Sequence, residues 1–213
     1  MDRKPPHLPK PGAAGEIGRL TAALAEARAT IARLELMAEV DPLLNILNRR
    51  GFERALIRTL AYVKRYRAPA ALLYLDLDDF KLINDVHGHA AGDAVLKAVA
   101  SILARNIRGS DVVARLGGDE FALLLFNLGE IQAKAKARSL ERILPAAGVA
   151  WAGARLSVGA SVGVTAIEPH DKPASVIARA DHVMYLRKAA RRRNQPAPPG
   201  KARPHDARSS EGG

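Results

Sequence analysis

Residues 70–77, AALLYLDL, form a near-continuous apolar run whose length suits one buried β-strand. Segments with helical periodicity lie on either side of it, at 49–66 and 93–107. Two further apolar runs, 112–115 and 121–126, are separated by glycines and predict a β-hairpin. This alternation restricts the chain to folds in which helices pack on a sheet.

Three more segments complete the predicted order of elements. A helix is expected at about 129–144, a strand at 156–167 and a last helix at 173–191. We therefore predict an α/β sandwich of the α+β type, in which helices flank a mostly antiparallel central sheet. With 213 residues, one domain with appendages is the default organisation.

Composition excludes several classes of function. The chain has no cysteine, which excludes disulfides, thiol catalysis and thiolate metal sites. Aromatic residues make up 4% of the chain, too few for a stacking platform for single-stranded nucleic acid. No apolar stretch reaches the ~18 residues of a membrane span, and the N-terminus has no signal-peptide core. We expect a cytoplasmic protein without a membrane partner.

The net charge of +11 is concentrated near the C-terminus. From residue 187 onward there are eight Lys or Arg against two acids, a net +6 in the last 27 residues. Residues 195–213 are rich in Pro, Gly and Ser, which cannot build a core. They are predicted to be a disordered basic tail. A solvated tail is favoured, and nucleic-acid binding is the alternative.

A heptad pattern precedes the globular part of the chain. Its apolar positions, spaced alternately by three and four residues, are Ile17, Leu20, Leu24, Ala27, Ile31, Leu34 and Ala38. The pattern predicts a coiled-coil dimerisation helix over residues 15–40, after a flexible tail at 1–14. The stripe needs a partner, either a second copy or the chain's own domain. The strict spacing favours a parallel dimeric stalk.

Two acidic clusters stand where predicted strands end. Asp76, Asp78 and Asp79 close the buried run at 70–77, and Asp119-Glu120 lies on the glycine hairpin. Carboxylates at the end of a buried strand need a compensating positive charge, which is the usual circumstance of a magnesium site. If the two strands are neighbours, Asp76 and Asp119 converge and could hold magnesium with a polyphosphate.

Several spaced motifs resemble those of one family. Residues 115–121 read RLGGDEF, residues 76–85 read DLDDFKLIND, and residues 88–93 read GHAAGD. Downstream, 161–164 (SVGV) and the last helix up to Lys188 continue the match. Over about residues 41–194 the chain is similar to the GGDEF domains, the diguanylate cyclases. The resemblance implies a palm-like fold and condensation of two GTP into cyclic di-GMP with release of pyrophosphate.

The resemblance also implies roles for the acidic residues. Asp76, the backbone carbonyl of Leu77 and Asp119 would hold Mg²⁺, with Mn²⁺ as an alternative, and bridge the triphosphate. Glu120 or Asp119 would take the proton from the attacking 3′-hydroxyl. Two hairpin glycines let the backbone approach the nucleotide. They are Gly117 and Gly118.

Guanine suits an amide that donates and a carboxylate that accepts, which Asn84 and Asp93 supply. Read singly, Asn84 could be a turn or cap residue and Asp93 the N-cap of a helix. Phe80 and Lys81 resemble the family's residues beside the base and phosphates. His89 resembles its glycine-histidine position near the substrate, although a structural loop histidine is an equal alternative.

Lys188 and Arg192 lie four residues apart on the last predicted helix and resemble the family's phosphate ligands. The usual G-R-N ending here reads RRRN at 191–194, so Arg191 or Arg193 could serve instead of Arg192. A solvated basic helix end is the competing interpretation.

A departure from the family pattern lies at the start of the domain. Leu44 and Asn45 stand where threonine and glycine are usual. Because asparagine tolerates a left-handed backbone better than other non-glycine residues, the turn is expected to survive. The departure concerns the hinge between stalk and domain.

Arg108 and Asp111 form an R-x-x-D pair that ends shortly before Gly117. The family carries its inhibitory product site at this offset, where an arginine can grip guanine or phosphate. We therefore expect cyclic di-GMP to be both product and inhibitor.

One domain holds one GTP, so the resemblance implies a homodimer whose stalk raises the effective concentration of the second domain. The alternative is a non-catalytic receptor that binds GTP or cyclic di-GMP and signals by contact. Retention of Asp76, Asp119 and Glu120 favours the enzyme.

Overall fold

A computed structural model describes residues 12–37 and 39–194. Its helices are α1 (Ala13–Met37), α2 (Arg49–Tyr66), α3 (Phe80–His87), α4 (His89–Arg105), α5 (Glu130–Ala147) and α6 (Pro173–Asn194). Its strands are β1 (Ala70–Leu77), β2 (Val112–Gly117), β3 (Glu120–Phe126), β4 (Val149–Trp151), β5 (Ala154–Leu156) and β6 (Ala160–Ala166). Of the predicted tails, residues 1–11 and 195–213 lie outside the described residues, and α1 begins within the predicted N-terminal tail.

The central sheet has the strand order β2-β3-β1-β6, and all its pairings are antiparallel. The predicted strand at 70–77 is β1, which lies between β3 and β6. Strands β4 and β5 form a separate hairpin. The predicted fold class, helices on a mostly antiparallel sheet, is confirmed.

Alternation along β1 divides the core into two layers. Leu73 and Leu75 belong to a cluster that includes residues of α4 and α5. Leu72 and Tyr74 belong to a cluster on the opposite face, with residues of α2 and α6. The sheet is therefore covered by helices on both faces, which explains why every residue of β1 is buried.

The structure corrects the sequence-based prediction in both its elements and their bounds. Helix α3 was not predicted, and α4 begins at His89 rather than residue 93. The β4-β5 hairpin was also missed. The expected strand 156–167 is in fact the end of β5, a linker, and then β6 from Ala160. Three-residue strands are too short to show a periodicity.

Helix α6 packs on β6 at Gly163. A Cβ built on this glycine would lie 2.0 Å from the Ala180 carbonyl oxygen and 2.5 Å from the Met184 nitrogen. Real Cβ atoms do not approach backbone so closely, so only glycine allows this contact. The glycine of the S-x-G segment thereby places the C-terminal half of α6 against the end of β1.

Side chains from both neighbouring helices reach the outer side of β6. The backbone N–H of Val162 donates to Glu141 Oε1 of α5 at 3.2 Å, and Arg191 of α6 donates to the Ala160 carbonyl. Arg187 joins Glu141 at 2.9 Å. On the other side of the sheet, the Arg115 N–H of β2 donates to the carbonyl of Leu47 at 2.7 Å. The outer strands are thus tied to flanking segments.

The apolar stripe of α1 faces solvent. Its large side chains are 52% to 64% exposed, at Ile17, Leu20, Leu24, Ile31 and Leu34. They are not packed on the chain's own domain, which was one of the two predicted partners. The seam position at residue 38 lies outside the described part. No helix among the described residues is long and apolar enough to cross a bilayer.

The hinge after α1 keeps a tight turn. Asn45 has a left-handed backbone with φ 55°, as expected for asparagine in place of glycine. Asp41 Oδ1 accepts hydrogen bonds from the N–H groups of Leu43 and Leu44, both at 2.9 Å. Asp41 Oδ2 pairs with Arg115 at 3.2 Å, which ties the hinge to the strand before the glycine hairpin.

Candidate functional site

The two acidic clusters meet, as the sequence predicted for neighbouring strands. Asp76 lies opposite Glu120 in the β1-β3 register. The Leu77 N–H donates to the carbonyl of Asp119 at 3.2 Å. Asp76, Asp119 and Glu120 therefore share one end of the sheet.

Asp76 is nearly buried and carries a cationic partner. Lys188 of α6 donates from Nζ to Asp76 Oδ1. Burial raises the pKa of Asp76, the Lys188 hydrogen bond and charge lower it again, and the charges of Asp119 and Glu120 raise it further. A positive charge next to the Asp76 carboxylate is therefore stabilising.

Asp78, the next acid along the chain, is held by two elements. Its Oδ1 accepts from the Ser161 hydroxyl at 2.8 Å, and its Oδ2 pairs with Arg191 Nη1 at 2.9 Å. Of the three candidate arginines, Arg191 is therefore the one whose described contacts reach an acid of the site. Arg193 instead donates to the Ala189 carbonyl of its own helix at 3.4 Å.

The predicted choice of Arg192 remains a prediction, since its side chain lies outside the described part. Four-residue spacing from Lys188 pointed to Arg192, whereas α6 directs Arg191 to Asp78. Sequence reasoning had no signal for this difference, because it depends on the rotation of α6 on β6.

Glu120 is held between two residues that sequence reasoning did not select. On the outer side, Arg49 Nη2 lies 3.6 Å from Glu120 Oε2. On the inner side lies Tyr74 of β1, which is buried on the same face of the sheet. Burial, followed by the charge of the nearby Glu120, raises the pKa of Tyr74 to about 12.

The glycine hairpin leaves room beside these acids. Gly117 and Gly118 are exposed, and a Cβ on either would meet no atom within 4 Å. Gly118 has φ 49°, a left-handed conformation that favours glycine, and its carbonyl accepts from Arg115 Nε at 3.0 Å. In the chain alone, the role of Gly117 and Gly118 is to form the hairpin turn.

The predicted guanine ligands lie on the adjacent helices α3 and α4. Asn84 is half-buried on α3, and Asp93 is exposed on α4. The interpretation of Asp93 as an N-cap is wrong, because α4 begins at His89 with Gly88 at its N-cap. Asn84 likewise lies inside α3, where its backbone carbonyl accepts from the N–H of Gly88 at 2.9 Å.

Three further predicted substrate residues flank this helix pair. Phe80 is buried at the start of α3, with Lys81 exposed beside it. His89, also exposed, is the first residue of α4 rather than a loop residue.

Gly92 sets the position of Asn84. A Cβ on Gly92 would lie 2.0 Å from Asn84 Oδ1 and 3.1 Å from Phe80 Cζ. The amide of Asn84 therefore rests directly on the backbone of α4, one residue before Asp93. The motif G-H-x-x-G-D was recognised in the sequence, but this steric role of its second glycine was not.

If Asn84 contacts guanine as the resemblance implies, Gly92→Ala should displace its amide and lower the preference for GTP over ATP by about tenfold, through loss of one hydrogen bond to the base. Alanine itself favours the helix, so the free energy of unfolding should not fall through helix propensity. The measurement is the ratio of GTP and ATP affinities by calorimetry. Gly18→Ala is the matched control, because a Cβ there meets no atom within 4 Å. An unchanged ratio would contradict the steric role.

The predicted inhibitory pair lies in a cavity at the far end of α4. Arg108 and Asp111 line it together with Arg105 and Lys136. Asp111 accepts from the Arg108 N–H at 2.9 Å and from the Phe126 N–H at 3.0 Å, so its carboxylate holds the turn together. The Arg108 side chain is exposed.

The donor set suits a hard divalent cation. Carboxylate and carbonyl oxygens are the ligands that Mg²⁺ prefers, and it normally adds substrate phosphates and water. Among the described side chains, no three His, Asp or Glu are grouped to bind a metal by themselves. The acids of β1 and the hairpin supply oxygen donors of the kind that such a metal prefers.

Comparison with known proteins identifies the family. The family model for the diguanylate cyclase GGDEF domain matches residues 38–194. The chain is 39% identical over 164 residues to the probable diguanylate cyclase DgcE of Escherichia coli K12, covering 76% of this chain and 15% of DgcE. The chain belongs to the GGDEF diguanylate cyclase family.

Two solved structures extend the likeness to three dimensions. The GGDEF domain of TpbB from Pseudomonas aeruginosa superimposes with a TM-score of 0.67 at 38% identity, over 71% of this chain and 89% of that one. The coiled coil and GGDEF domain of DgcB from Caulobacter crescentus, in complex with c-di-GMP, gives 0.72 at 26% identity, over 84% and 94%. The chain spans 37% of the full length of TpbB.

Proposed function

We propose that this chain is a metal-dependent diguanylate cyclase, which condenses two GTP into cyclic di-GMP and releases two pyrophosphates. The observation that carries the proposal is the meeting of Asp76 with Asp119 and Glu120 at one end of the sheet, beside the cations of α6. The relatives named as diguanylate cyclases support the same activity.

The acids would bind Mg²⁺, or Mn²⁺, through the carboxylates of Asp76 and Asp119 and the carbonyl of Leu77. When bound, the metal would neutralise the triphosphate and lower the pKa of the attacking 3′-hydroxyl. Glu120 or Asp119 would accept the proton of that hydroxyl. The chain's own contribution is mainly to position and neutralise the nucleotide.

Lys188 would exchange partners when substrate binds. In the chain alone, its ammonium group compensates the buried carboxylate of Asp76. The β- and γ-phosphates would take over this ammonium while the metal takes over the carboxylate, so that neither charge is left unpaired. Arg191 or Arg192 would add a second positive charge from the same helix.

Base recognition would fall to Asn84 and Asp93, which lie on the two packed helices α3 and α4. Phe80, Lys81 and His89 would line the nucleotide, with Gly117 and Gly118 leaving space for its approach. Adenine would leave the amide and the carboxylate unpaired, at a cost of about 1 to 3 kcal/mol for each buried group.

The enzyme would act as a homodimer. Each domain positions one GTP, whereas the product requires two facing 3′-hydroxyls. The exposed stripe of α1 supports pairing of residues 15–40 as a coiled coil. Residues 41–194 would then be the cyclase domain, held near its partner by the stalk.

Incubation of the purified chain with GTP and Mg²⁺, followed by chromatography of the nucleotides, tests this function. Cyclic di-GMP and pyrophosphate should form in a ratio of one to two, and EDTA should stop the reaction. Nucleotide binding without turnover would instead support the non-catalytic receptor.

Product inhibition through Arg108 is a separate expectation. Arg108→Ala should leave early GTP turnover intact but raise the inhibition constant for cyclic di-GMP by at least about tenfold, because a bidentate contact to guanine or phosphate is lost. Product-inhibition titration measures this change. Arg58→Ala, an exposed arginine of α2, is the control. Equal inhibition constants in Arg108→Ala and the parent would exclude the site.

A further inference from the structure

We propose that Tyr74 is a positioning residue that holds the Glu120 carboxylate in its working orientation through the tyrosine hydroxyl. This inference rests on the proposed function, since it concerns how an acid of the cyclase site is presented. It assigns a role to a residue that none of the motifs in the chain contains.

The strand register places Tyr74 beside Glu120. Tyr74 lies opposite Ala122, and Asp76 lies opposite Glu120. Tyr74 and Glu120 are therefore diagonal neighbours on one face of the sheet, a separation that an aromatic side chain can span.

The other neighbouring strand makes room for the ring. Tyr74 lies opposite Gly163 in the β1-β6 register, which has no side chain on that face. Helix α6 covers the same glycine closely, so Tyr74 is only 5% exposed. A ring enclosed in this way has few alternative rotamers, and its hydroxyl is directed to a fixed point.

Glu120 needs such a support because its own surroundings are open. Its side chain is 33% exposed, and Gly117 and Gly118 of the same hairpin bear no side chains that could confine it. Arg49 approaches from outside at 3.6 Å, but this arginine is itself 53% exposed. Of the two neighbours of Glu120, the buried Tyr74 is therefore the more confined and the exposed Arg49 the less confined.

A hydroxyl that donates to Glu120 leaves the second carboxylate oxygen and the remaining lone pairs for the reaction. Tyr74 would not contact the nucleotide or the reacting atoms. Its removal should then affect the rate of the chemical step more than substrate binding, since the orientation of the Glu120 carboxylate in the site is what changes.

Tyr74→Phe is the direct test, because it removes the hydroxyl and keeps the buried ring. The kcat should fall by about ten- to a hundredfold, with the KM for GTP unchanged within about twofold. The affinities for Mn²⁺ and for a non-hydrolysable GTP analogue, measured by calorimetry, should match the parent. Tyr66→Phe, which removes an exposed hydroxyl from α2, should behave as the parent does.

A double-mutant cycle separates positioning from general stability. In a Glu120→Gln background, Tyr74→Phe should cause no further loss of kcat. The inference is overturned if Tyr74→Phe has the parental kcat, if it weakens nucleotide affinity as much as kcat, or if its effect is the same in both backgrounds. A parent chain that makes no cyclic di-GMP would overturn the proposed function and this inference with it.

Discussion

Asp119→Ala should reduce cyclic di-GMP synthesis by more than about a hundredfold, since one of the two carboxylates proposed to hold the metal is lost. Asp119 lies in the hairpin turn between β2 and β3, outside both core clusters. The fold should therefore survive, and the melting temperature should stay within about 3 °C of the parent. Chromatographic product analysis and thermal unfolding measure the two effects.

Glu53→Ala is the matched control for Asp119→Ala. Glu53 is an exposed acid on α2, and its removal changes the net charge by the same amount. Near-normal turnover in Asp119→Ala would mean that the catalytic assignment of the hairpin is wrong. Equal losses in both variants would indicate a general effect of charge.

Deletion of residues 1–38 should lower the specific activity by about tenfold or more at nanomolar protein, because the second domain is no longer held nearby. The loss should shrink as the protein concentration rises. The deletion must end at 38, because Glu39 is buried and its carbonyl accepts from the Asn48 N–H at 2.8 Å. Activity over a dilution series, with sedimentation of both proteins, measures the effect.

A substitution pair isolates the stripe itself. Leu24→Gln removes a large seam residue, whereas Ala25→Gln places the same side chain one position off the seam on the exposed helix. Only Leu24→Gln should weaken dimerisation. Specific activity that does not depend on concentration, with or without the stalk, would refute the role of α1.

Strand prediction was most accurate where helices bury both faces of the strand. The run at 70–77 matches β1 residue for residue, because a strand covered by helices on both faces leaves a continuous apolar signal. The helix at 49–66 was also predicted with the observed bounds, through its amphipathic spacing. Helix α3 was missed because it is too short for its spacing to stand out from a loop. It is eight residues long, and its apolar Leu82 and Val86 are exposed.

The candidate site was predictable as far as its motifs reach. The convergence of Asp76 with the hairpin followed from two acidic clusters at strand ends, and the β1-β3 register confirms that they are neighbours. Residues that support the site from outside the motifs were missed. Tyr74 reads in sequence as one more apolar position of β1, and its neighbour Glu120 becomes visible only once the register is known.

Contacts that depend on close approach between elements were also beyond sequence reasoning. The sequence placed Gly163 in a motif, but it did not predict that α6 packs against β6 at this glycine. The rotation of α6 at this contact determines which arginine of the run 191–193 reaches Asp78. A rotation of one residue about a helix axis is about 100°, and the spacing of charges along the chain does not define it.

The side chains that cap the outer strand β6 limit how copies of this protein can join. An open sheet edge is a template on which another chain can add a strand, and such pairing readily continues into aggregates. Here Glu141 occupies the N–H of Val162 and Arg191 occupies the carbonyl of Ala160. A second copy therefore cannot extend the sheet at these positions without breaking charged contacts. Pairing through the exposed stripe of α1, as proposed above, would leave this edge of the sheet unchanged.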